Sequence, residues 1–205
     1  MHQADRIIVM QRLAALEKKL LTEADGYVSI IKNFGRLVGG SLAHGHQQIG
    51  FSNIMPRRSR LDQRYEDEHG EAFSKYLLRT NPPELTIRDY GAAVLLVPYF
   101  MRRPFDMFLL LKDSRKTHLF ELDEDEIAAA ADSWRDAIHI MLTLMPQIGR
   151  ESAYNLTTHN GPGTGLYFEF LPYTQEMGGF EHLGLFLCQG NPTDTAKHSR
   201  SILAK

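Results

Sequence analysis

The chain of 205 residues contains one cysteine, Cys188. A single cysteine excludes an internal disulfide and a Cys-x-x-Cys metal knuckle, and it is typical of a protein from a reducing cytoplasm. The longest apolar runs, at residues 92–97 and 107–111, are short, whereas a helix that crosses a bilayer takes about 20 residues. The N-terminus MHQADRI lacks the basic and then apolar plan of a secretory signal. We therefore expect a cytoplasmic protein without a membrane partner.

An excess of charge of one sign is also missing. The 23 basic residues nearly balance the 25 acidic ones, and the formal net charge is -2. This balance offers no electrostatic reason to expect nucleic acid as a partner. With 43% hydrophobic and 23% charged residues the composition is that of a globular protein with a sizeable core. Small polar or phosphorylated molecules remain the expected partners.

Hydrophobic periodicity predicts alternating strands and helices. We expect an amphipathic helix at 5–24, strands at 27–33 and 41–51 that pair antiparallel, and a polar linker at 56–84 with a helix near 70–78. Further strands are predicted at 85–90, 91–100, 105–112, 152–160, 165–173 and 179–189. A helix with an Asp123 to Glu126 capping box should end before Pro146, and a terminal helix should begin at the cap Asn191. Antiparallel strands with helices packed on them define an α+β protein.

The stretch SLAHGHQQIG, residues 41–50, places His44, His46 and Gln48 at alternate positions. On a strand these three side chains would share one face. The pattern fits three interpretations: a polar strand that faces solvent, a His-x-His metal site that lacks further ligands, or a reactive histidine beside an orienting one. In the third case a neutral imidazole attacks an activated phosphorus, and a second acceptor then displaces the phosphoramidate.

The longer stretch NFGRLVGGSLAHGHQQI, residues 33–49, resembles the Asn-x-Gly, Gly-x-Ser and His-x-His-x-Gln signature of the galactose-1-phosphate uridylyltransferase branch of the histidine-triad (HIT) superfamily. The resemblance continues in order through Pro56, AVLLVPYF, RRPFDMFLLLK, the helix at 123–145 and THNGP at 158–162. It implies a HIT-like antiparallel sheet with packed helices. Residues 1–55 would form the end of a first unit, 56–84 a linker with a short helix, and 85–205 a fuller second unit.

By that resemblance, His46 is the nucleophile that forms a nucleotidyl-histidine, and His44 is its supporting partner. Gln48 would steady the phosphoryl oxygens. Substrate phosphates would be bound by residues immediately upstream of the histidines, namely Asn33, Gly39, Gly40 and Ser41. The covalent step requires no cofactor. The glutamine in place of a third histidine favours transfer over hydrolysis.

The implied activity is transfer of a nucleoside monophosphate from a nucleotide-sugar or dinucleotide to a phosphorylated small molecule. One alternative is a phosphorylase or hydrolase of dinucleoside polyphosphates or sugar nucleotides from the same superfamily. Another is a nucleotide-binding relative without catalysis. In the family, the strands that hold the nucleoside precede the first helix of this chain, so the base is not specified. Because an unpaired sheet edge is a liability, a homodimer is expected.

Other departures concern the motif and a metal site. His44-Gly45-His46 replaces the His-Pro-His of the family, and Tyr167-Phe168-Glu169 replaces a later His-x-His. His159 matches one of the metal-binding histidines of the second half, and the carboxylate expected after the motif is at best Asp62. A zinc or iron site formed by His159 and Glu169 is one interpretation, and a satisfied loop histidine with a glutamate that lines the barrel is the other.

Three further features are read as structural. RRSR at 57–60 is predicted to be solvated linker, and Trp134 is predicted to face the core. Cys188 is predicted to be an inert buried thiol.

Overall fold

A computed structural model of the chain describes residues 2–42 and 44–205. Its strands are β1 (Tyr27–Phe34), β2 (Gln48–Ser52), β3 (Thr86–Asp89), β4 (Ala93–Leu96), β5 (Met107–Leu111), β6 (Tyr154–His159) and β7 (Tyr167–Pro172). Its α-helices are α1 (Gln3–Glu23), α2 (Arg57–His69), α3 (Phe73–Thr80), α4 (Glu124–Gln147), α5 (Gly179–His182) and α6 (Pro192–Leu203). These elements confirm the predicted α+β class.

The strands form one sheet in the order β2-β1-β6-β7-β5-β4-β3, and every neighbouring pair is antiparallel. Strand β1 joins the two parts of the sheet, since Ile31 pairs with Gln48 of β2 on one side and with Thr157 of β6 on the other. The predicted pairing of the first two strands is therefore confirmed. The division into units at 1–55, 56–84 and 85–205 stays a prediction.

Helices α1, α4 and α6 cover one face of this sheet. The main core lies beneath them, where Trp134 of α4 meets the ring of Phe168 edge-on at 5.4 Å between centroids. Trp134 is 6% exposed, so its predicted core position is confirmed. The opposite face carries a smaller cluster in which Leu77 of α3 packs with Phe108 and Leu110 of β5. The two faces of the sheet therefore meet different surroundings.

Local capping signals are confirmed at two helices. The Asp123 carboxylate accepts a hydrogen bond from the Glu126 amide at 2.9 Å, and the Glu126 carboxylate accepts one from the Asp123 amide at 2.9 Å. Asn191 caps α6 by accepting from the Thr193 amide at 2.8 Å. The expected stop before Pro146 is wrong, because α4 continues to Gln147. A proline in the last turn removes one hydrogen bond there, and the chain leaves the helix through Gly149, which lies two residues after Gln147 and whose φ of 72° is left-handed.

Three predicted elements differ in the structure. The expected strand at 41–51 is only β2, which begins at Gln48. The expected strand at 179–189 is the four-residue helix α5 followed by irregular chain, in which Leu183 is 78% exposed. The region 56–84 holds two helices, α2 and α3, and RRSR forms the start of α2 rather than a solvated linker. Helix α2 escaped detection because its sequence RRSRLDQRYEDEH has almost no apolar periodicity.

None of the helices within residues 2–42 and 44–205 is long and apolar enough to cross a membrane.

Candidate active site

A tight glycine loop follows β1. The loop contains a short 3-10 turn, Arg36–Val38, and the Gly40 amide donates back to the Gly35 carbonyl at 2.9 Å. A Cβ atom added to Gly40 would lie 2.7 Å from that carbonyl oxygen, so a larger residue does not fit. Gly39 has a φ of 85°, a conformation that favours glycine. The glycine pair is thus required by the way the chain folds back on itself.

Asn33 lies at the end of β1 and faces this loop. Asn155 of β6 donates its side-chain amide to Asn33 Oδ1 at 2.8 Å and to the Val38 carbonyl at 3.2 Å. The Asn33 oxygen is therefore used within the protein. Its amide nitrogen lies near the loop, since a Cβ atom on Gly39 would be 3.7 Å from Asn33 Nδ2. The predicted phosphate contacts Asn33, Gly39 and Gly40 are thereby brought together, whereas Ser41 lies on the exposed chain beyond them.

His44 and His46 also lie close together, with ring centroids 5.5 Å apart and planes tilted by 55°. His46 Nδ1 lies 3.0 Å from the His44 carbonyl oxygen. Because a carbonyl oxygen only accepts, Nδ1 must carry the proton of a neutral His46 ring, and the lone pair is left on Nε2. His46 is half-buried and His44 is exposed. The arrangement presents one histidine with a defined tautomer.

The histidines do not lie on a strand. The ladder between β1 and β2 stops at the Ile31–Gln48 pair. One residue further along β1, Lys32 donates its ammonium group to the His46 carbonyl at 3.1 Å. A side chain thus takes the place of the backbone partner that a continued strand would need. Gln48 is the first residue of β2, and it is exposed. The expectation that all three motif residues share a strand face is therefore wrong, although His44 and His46 remain close in space.

Lys32 was not anticipated from the sequence. It is 9% exposed, and burial lowers the pKa of its ammonium group. Lys32 lies between Ile31 and Asn33 on a short strand, and this position alone does not predict a functional role. The side chain is turned toward His46 by the register of β1, which pairing with β6 sets.

A second cluster lies on the sheet face toward α2. His159 of β6 has Nε2 3.1 Å from Glu169 Oε2 of β7 and Nδ1 3.6 Å from Asp62 Oδ2 of α2. The other Glu169 oxygen, Oε1, accepts from Arg102 at 2.7 Å and from Arg58 at 3.4 Å. The structure thus joins the predicted pair His159 and Glu169 to Asp62 and to two arginines for which the sequence predicted no role at this cluster.

Charge dominates the protonation of this cluster. Burial alone would raise the pKa of Glu169, but the charges of His159, Arg102 and Arg58 hold that pKa well below its usual range. Burial alone would lower the pKa of His159, but Glu169 and Asp62 raise it. The cluster is therefore an ionised network. Tyr167 extends it, because its ring stacks on His159 at 4.2 Å and its hydroxyl donates to Asp62 at 3.1 Å.

The network as arranged does not fit a divalent cation. Both ring nitrogens of His159 face carboxylates, and both oxygens of Glu169 have cationic partners. A metal needs free lone pairs from deprotonated ligands, and it would meet two guanidinium groups. Within residues 2–42 and 44–205, no three His, Cys, Asp or Glu residues are grouped so that they could hold a metal ion.

The fold and the histidine site define a HIT-like scaffold with a single-tautomer histidine beside a glycine loop. No model of a protein family matches the chain. Similarity to individual proteins is clear. The chain is 25% identical to ADP-glucose phosphorylase from Arabidopsis thaliana over 190 residues. This alignment covers 86% of this chain and 52% of that protein. It is 30% identical to galactose-1-phosphate uridylyltransferase from Rattus norvegicus over 114 residues. This second alignment covers 50% of this chain and 29% of that protein.

A solved uridylyltransferase structure superposes on the whole chain with a TM-score of 0.84 at 20% identity, and the match covers 69% of that structure. The predicted resemblance to the galactose-1-phosphate uridylyltransferase branch of the HIT superfamily is therefore confirmed, as is the HIT-like fold. The chain spans about half the length of the first of these sequence relatives and under a third of the second.

Proposed function

We propose that this protein is a nucleotidyl-transferring enzyme that moves a nucleoside monophosphate from a nucleotide-sugar to a phosphate-bearing acceptor through His46. The observation that carries the proposal is the 3.0 Å contact between His46 Nδ1 and the His44 carbonyl. This contact directs the lone pair of a neutral ring to Nε2, the atom that must attack phosphorus. The glycine loop beside it offers backbone and amide donors for phosphate oxygens.

In the first step, Nε2 of His46 attacks the α-phosphorus of the donor. A phosphorus–nitrogen bond forms, the bond from the α-phosphorus to the bridging oxygen breaks, and a sugar 1-phosphate leaves with the electron pair. The imidazole becomes positively charged, and the His44 carbonyl stabilises that charge because it already accepts the Nδ1 proton. The amide nitrogen of Asn33 and the exposed Gln48 supply donors toward the phosphoryl oxygens.

In the second step, a phosphate oxygen of the acceptor attacks the same phosphorus. A new phosphorus–oxygen bond forms, the phosphorus–nitrogen bond breaks, and its electron pair returns to Nε2. The two candidate acceptors are a sugar phosphate, which gives transfer, and inorganic phosphate, which gives phosphorolysis. The similarity to ADP-glucose phosphorylase extends over 86% of the chain and favours inorganic phosphate as the acceptor to test beside a sugar phosphate. No step is assigned to a metal, because the second cluster does not fit one.

The test is a pulse-chase experiment. The protein is incubated with ADP-glucose or UDP-glucose that carries radiolabel at the α-phosphorus, and the protein-bound label is examined for the acid lability and base stability of a phosphoramidate. The labelled protein is then chased with inorganic phosphate, galactose 1-phosphate or buffer. We expect label on the wild type, with release by one phosphate-bearing acceptor faster than by water.

Two variants control the labelling. His46→Ala should abolish it, whereas His69→Ala, at the exposed end of α2, should leave it unchanged. A protein that binds the donor in a thermal-shift assay but takes up no label from either donor would instead be a binding protein on a catalytic scaffold.

A homodimer is part of the proposal. Strand β2 ends the sheet, and its outer edge pairs with no strand of the described chain. Its residue Phe51 is 38% exposed. Sedimentation equilibrium should give the mass of two chains, and the mass of one chain would contradict this part of the proposal. The cytoplasmic location stays a prediction.

A further inference from the structure

A cavity of about 650 Å³ lies between α1, α4 and the end of β1. It opens on the helix-covered face of the sheet, away from the cluster around His159. Its volume is within the range of about 300–1,000 Å³ that holds small organic ligands. Part of its wall is the backbone segment of Gly45, His46 and Gln47 that carries the catalytic motif.

The walls of this α1–α4 cavity are mainly apolar and partly aromatic. Phe34 and Tyr154 stack with centroids 5.1 Å apart and planes inclined by 17°, which forms a flat surface. Trp134 faces them from α4, and aliphatic residues of both helices complete the lining: Val9, Met10, Ile138 and Leu142. Such walls suit a flat hydrophobic body.

The charge of the lining is entirely positive. Arg6, Lys32 and Arg135 line the cavity, and no aspartate or glutamate does. Arg6 pairs with Asp132 at 2.6 Å, and Arg135 pairs with its neighbour Asp136. In contrast, Lys32 is matched by no carboxylate in the described chain, and its ammonium group has only the His46 carbonyl as a hydrogen-bond partner. A buried ammonium group with three donors and one neutral acceptor is poorly compensated.

Two further polar atoms of the lining residues lack partners. Trp134 Nε1 and Gln47 Oε1 are both buried without a hydrogen bond in the described structure, and Trp134 is 6% exposed. Buried donors and acceptors of folded proteins are almost always satisfied by protein, water or ligand. A donor, an acceptor and a cation therefore surround one apolar space.

We propose that the α1–α4 cavity binds a small aromatic anion, with the ring against Phe34 and Tyr154 and a carboxylate or phosphate group at Lys32. Lys32 selects the anion, because among the cations of the lining it has no carboxylate partner in the described chain, whereas Arg6 and Arg135 are paired with Asp132 and Asp136. The flat apolar wall formed by Phe34 and Tyr154 favours an aromatic ring as the rest of the ligand. The inference does not depend on the proposed transfer reaction. It adds a ligand site that touches the motif from the opposite side, through the bond from Lys32 to the His46 carbonyl.

The chain itself provides the reporter for this test. Trp134 is the sole tryptophan and lines the α1–α4 cavity, so the tryptophan fluorescence of the protein comes from one residue of the cavity wall. We would titrate the protein with phenyl phosphate and with benzoate, and use benzyl alcohol as a neutral probe of similar size. A saturable change in Trp134 emission is expected with at least one anion, at concentrations at least tenfold below those at which benzyl alcohol acts. Equal responses to anion and alcohol, or no response to either anion, would overturn the proposal.

Lys32→Met removes the charge and retains the apolar stem, and Lys75→Met makes the same change at an exposed site on α3. Loss of a charge-assisted hydrogen bond should weaken anion binding by about tenfold or more in Lys32→Met, while Lys75→Met and Lys32→Arg should retain it. Far-UV circular dichroism shows whether each variant is folded. Unchanged affinity in a folded Lys32→Met protein would overturn the assignment of the anion site. Binding is measured without any donor, so failure here is distinguishable from failure of the nucleotidyl-transfer proposal.

Discussion

Glu169 is the residue whose replacement tests the ionised cluster most severely. It is 4% exposed, and its carboxylate meets His159 at 3.1 Å, Arg102 at 2.7 Å and Arg58 at 3.4 Å. The substitution Glu169→Gln keeps the shape of the side chain and removes its charge. Three cationic groups would then share a largely buried space with Asp62 as the only remaining anion among the residues of this cluster.

The expected cost follows from this geometry. Removing one partner of a buried ion pair costs about 3–5 kcal/mol. The side chains of Arg102 and Arg58 are 25% and 33% exposed, so water offsets part of the loss. We expect a decrease of about 3 kcal/mol in the free energy of unfolding. For a chain of this size that corresponds to a melting temperature lower by about 6–12 °C.

The effect should depend on pH. The folded pKa of Glu169 is lowered, so its contribution is present above the unfolded value of about 4.3 and is lost as the pH falls. The folded pKa of His159 is raised, so its contribution is present below about 6.5 and is lost as the pH rises through the folded pKa. The difference between wild type and variant should therefore be largest near pH 6.

Urea unfolding followed by circular dichroism measures this difference at pH 4, 6 and 8. Glu176→Gln is the matched control, because Glu176 is 68% exposed in its pair with Arg150 and solvent-exposed ion pairs contribute little to stability. If Glu169→Gln is no less stable than Glu176→Gln at pH 6, the cluster does not stabilise the fold in the way its geometry implies.

Burial raises the pKa of Glu17 to about 7 from a usual 4.5, so the free energy of unfolding of the wild type should fall as the pH rises between those values, and Glu17→Gln should reduce that fall. Urea unfolding at pH 5 and pH 8 measures this, and an equal change in the free energy of unfolding in wild type and variant would contradict it. Gly40→Ala places a Cβ 2.7 Å from the Gly35 carbonyl and should abolish labelling of His46, whereas Gly50→Ala, which meets nothing within 4 Å, should keep it; equal labelling would count against the loop. Elemental analysis should find well below one zinc or iron per chain, and chelators should not change the labelling of His46. A stoichiometric metal that is lost in His159→Ala would contradict the ionised network.

Local signals predicted much of the fold because they act within a few residues. The capping box at Asp123 and the cap at Asn191 located two helices, and glycines on either side of residues 27–33 located β1. Helix α2 is followed by Gly70, whose φ of 71° is left-handed, but its own sequence has almost no apolar periodicity. Its residues are mostly charged, and only Asp62 among them is buried, so its helical state depends on tertiary contacts with β6 and β7.

The residues of the candidate site also fall into those that a local sequence pattern predicts and those that only tertiary contacts bring together. The motif itself marked His44, His46 and Gln48, but the strand that was expected to carry them ends at Gln48, because Lys32 occupies the His46 carbonyl. The pair His159 and Glu169 is adjacent because Thr157 pairs with Glu169 and His159 pairs with Tyr167 in the β6–β7 ladder. Arg58 and Arg102 come from distant segments, and periodicity within one element does not report such contacts.

Nucleotidyl transfer through His46 is tested most directly by mass spectrometry of the intact protein after mixing with ADP-glucose or UDP-glucose. Transfer through His46 predicts a mass increase of one nucleotidyl group, located on His46 by peptide fragmentation and removed when the matching phosphate acceptor is added. A modification on another residue, or an unmodified protein at saturating concentrations of both donors, would contradict it.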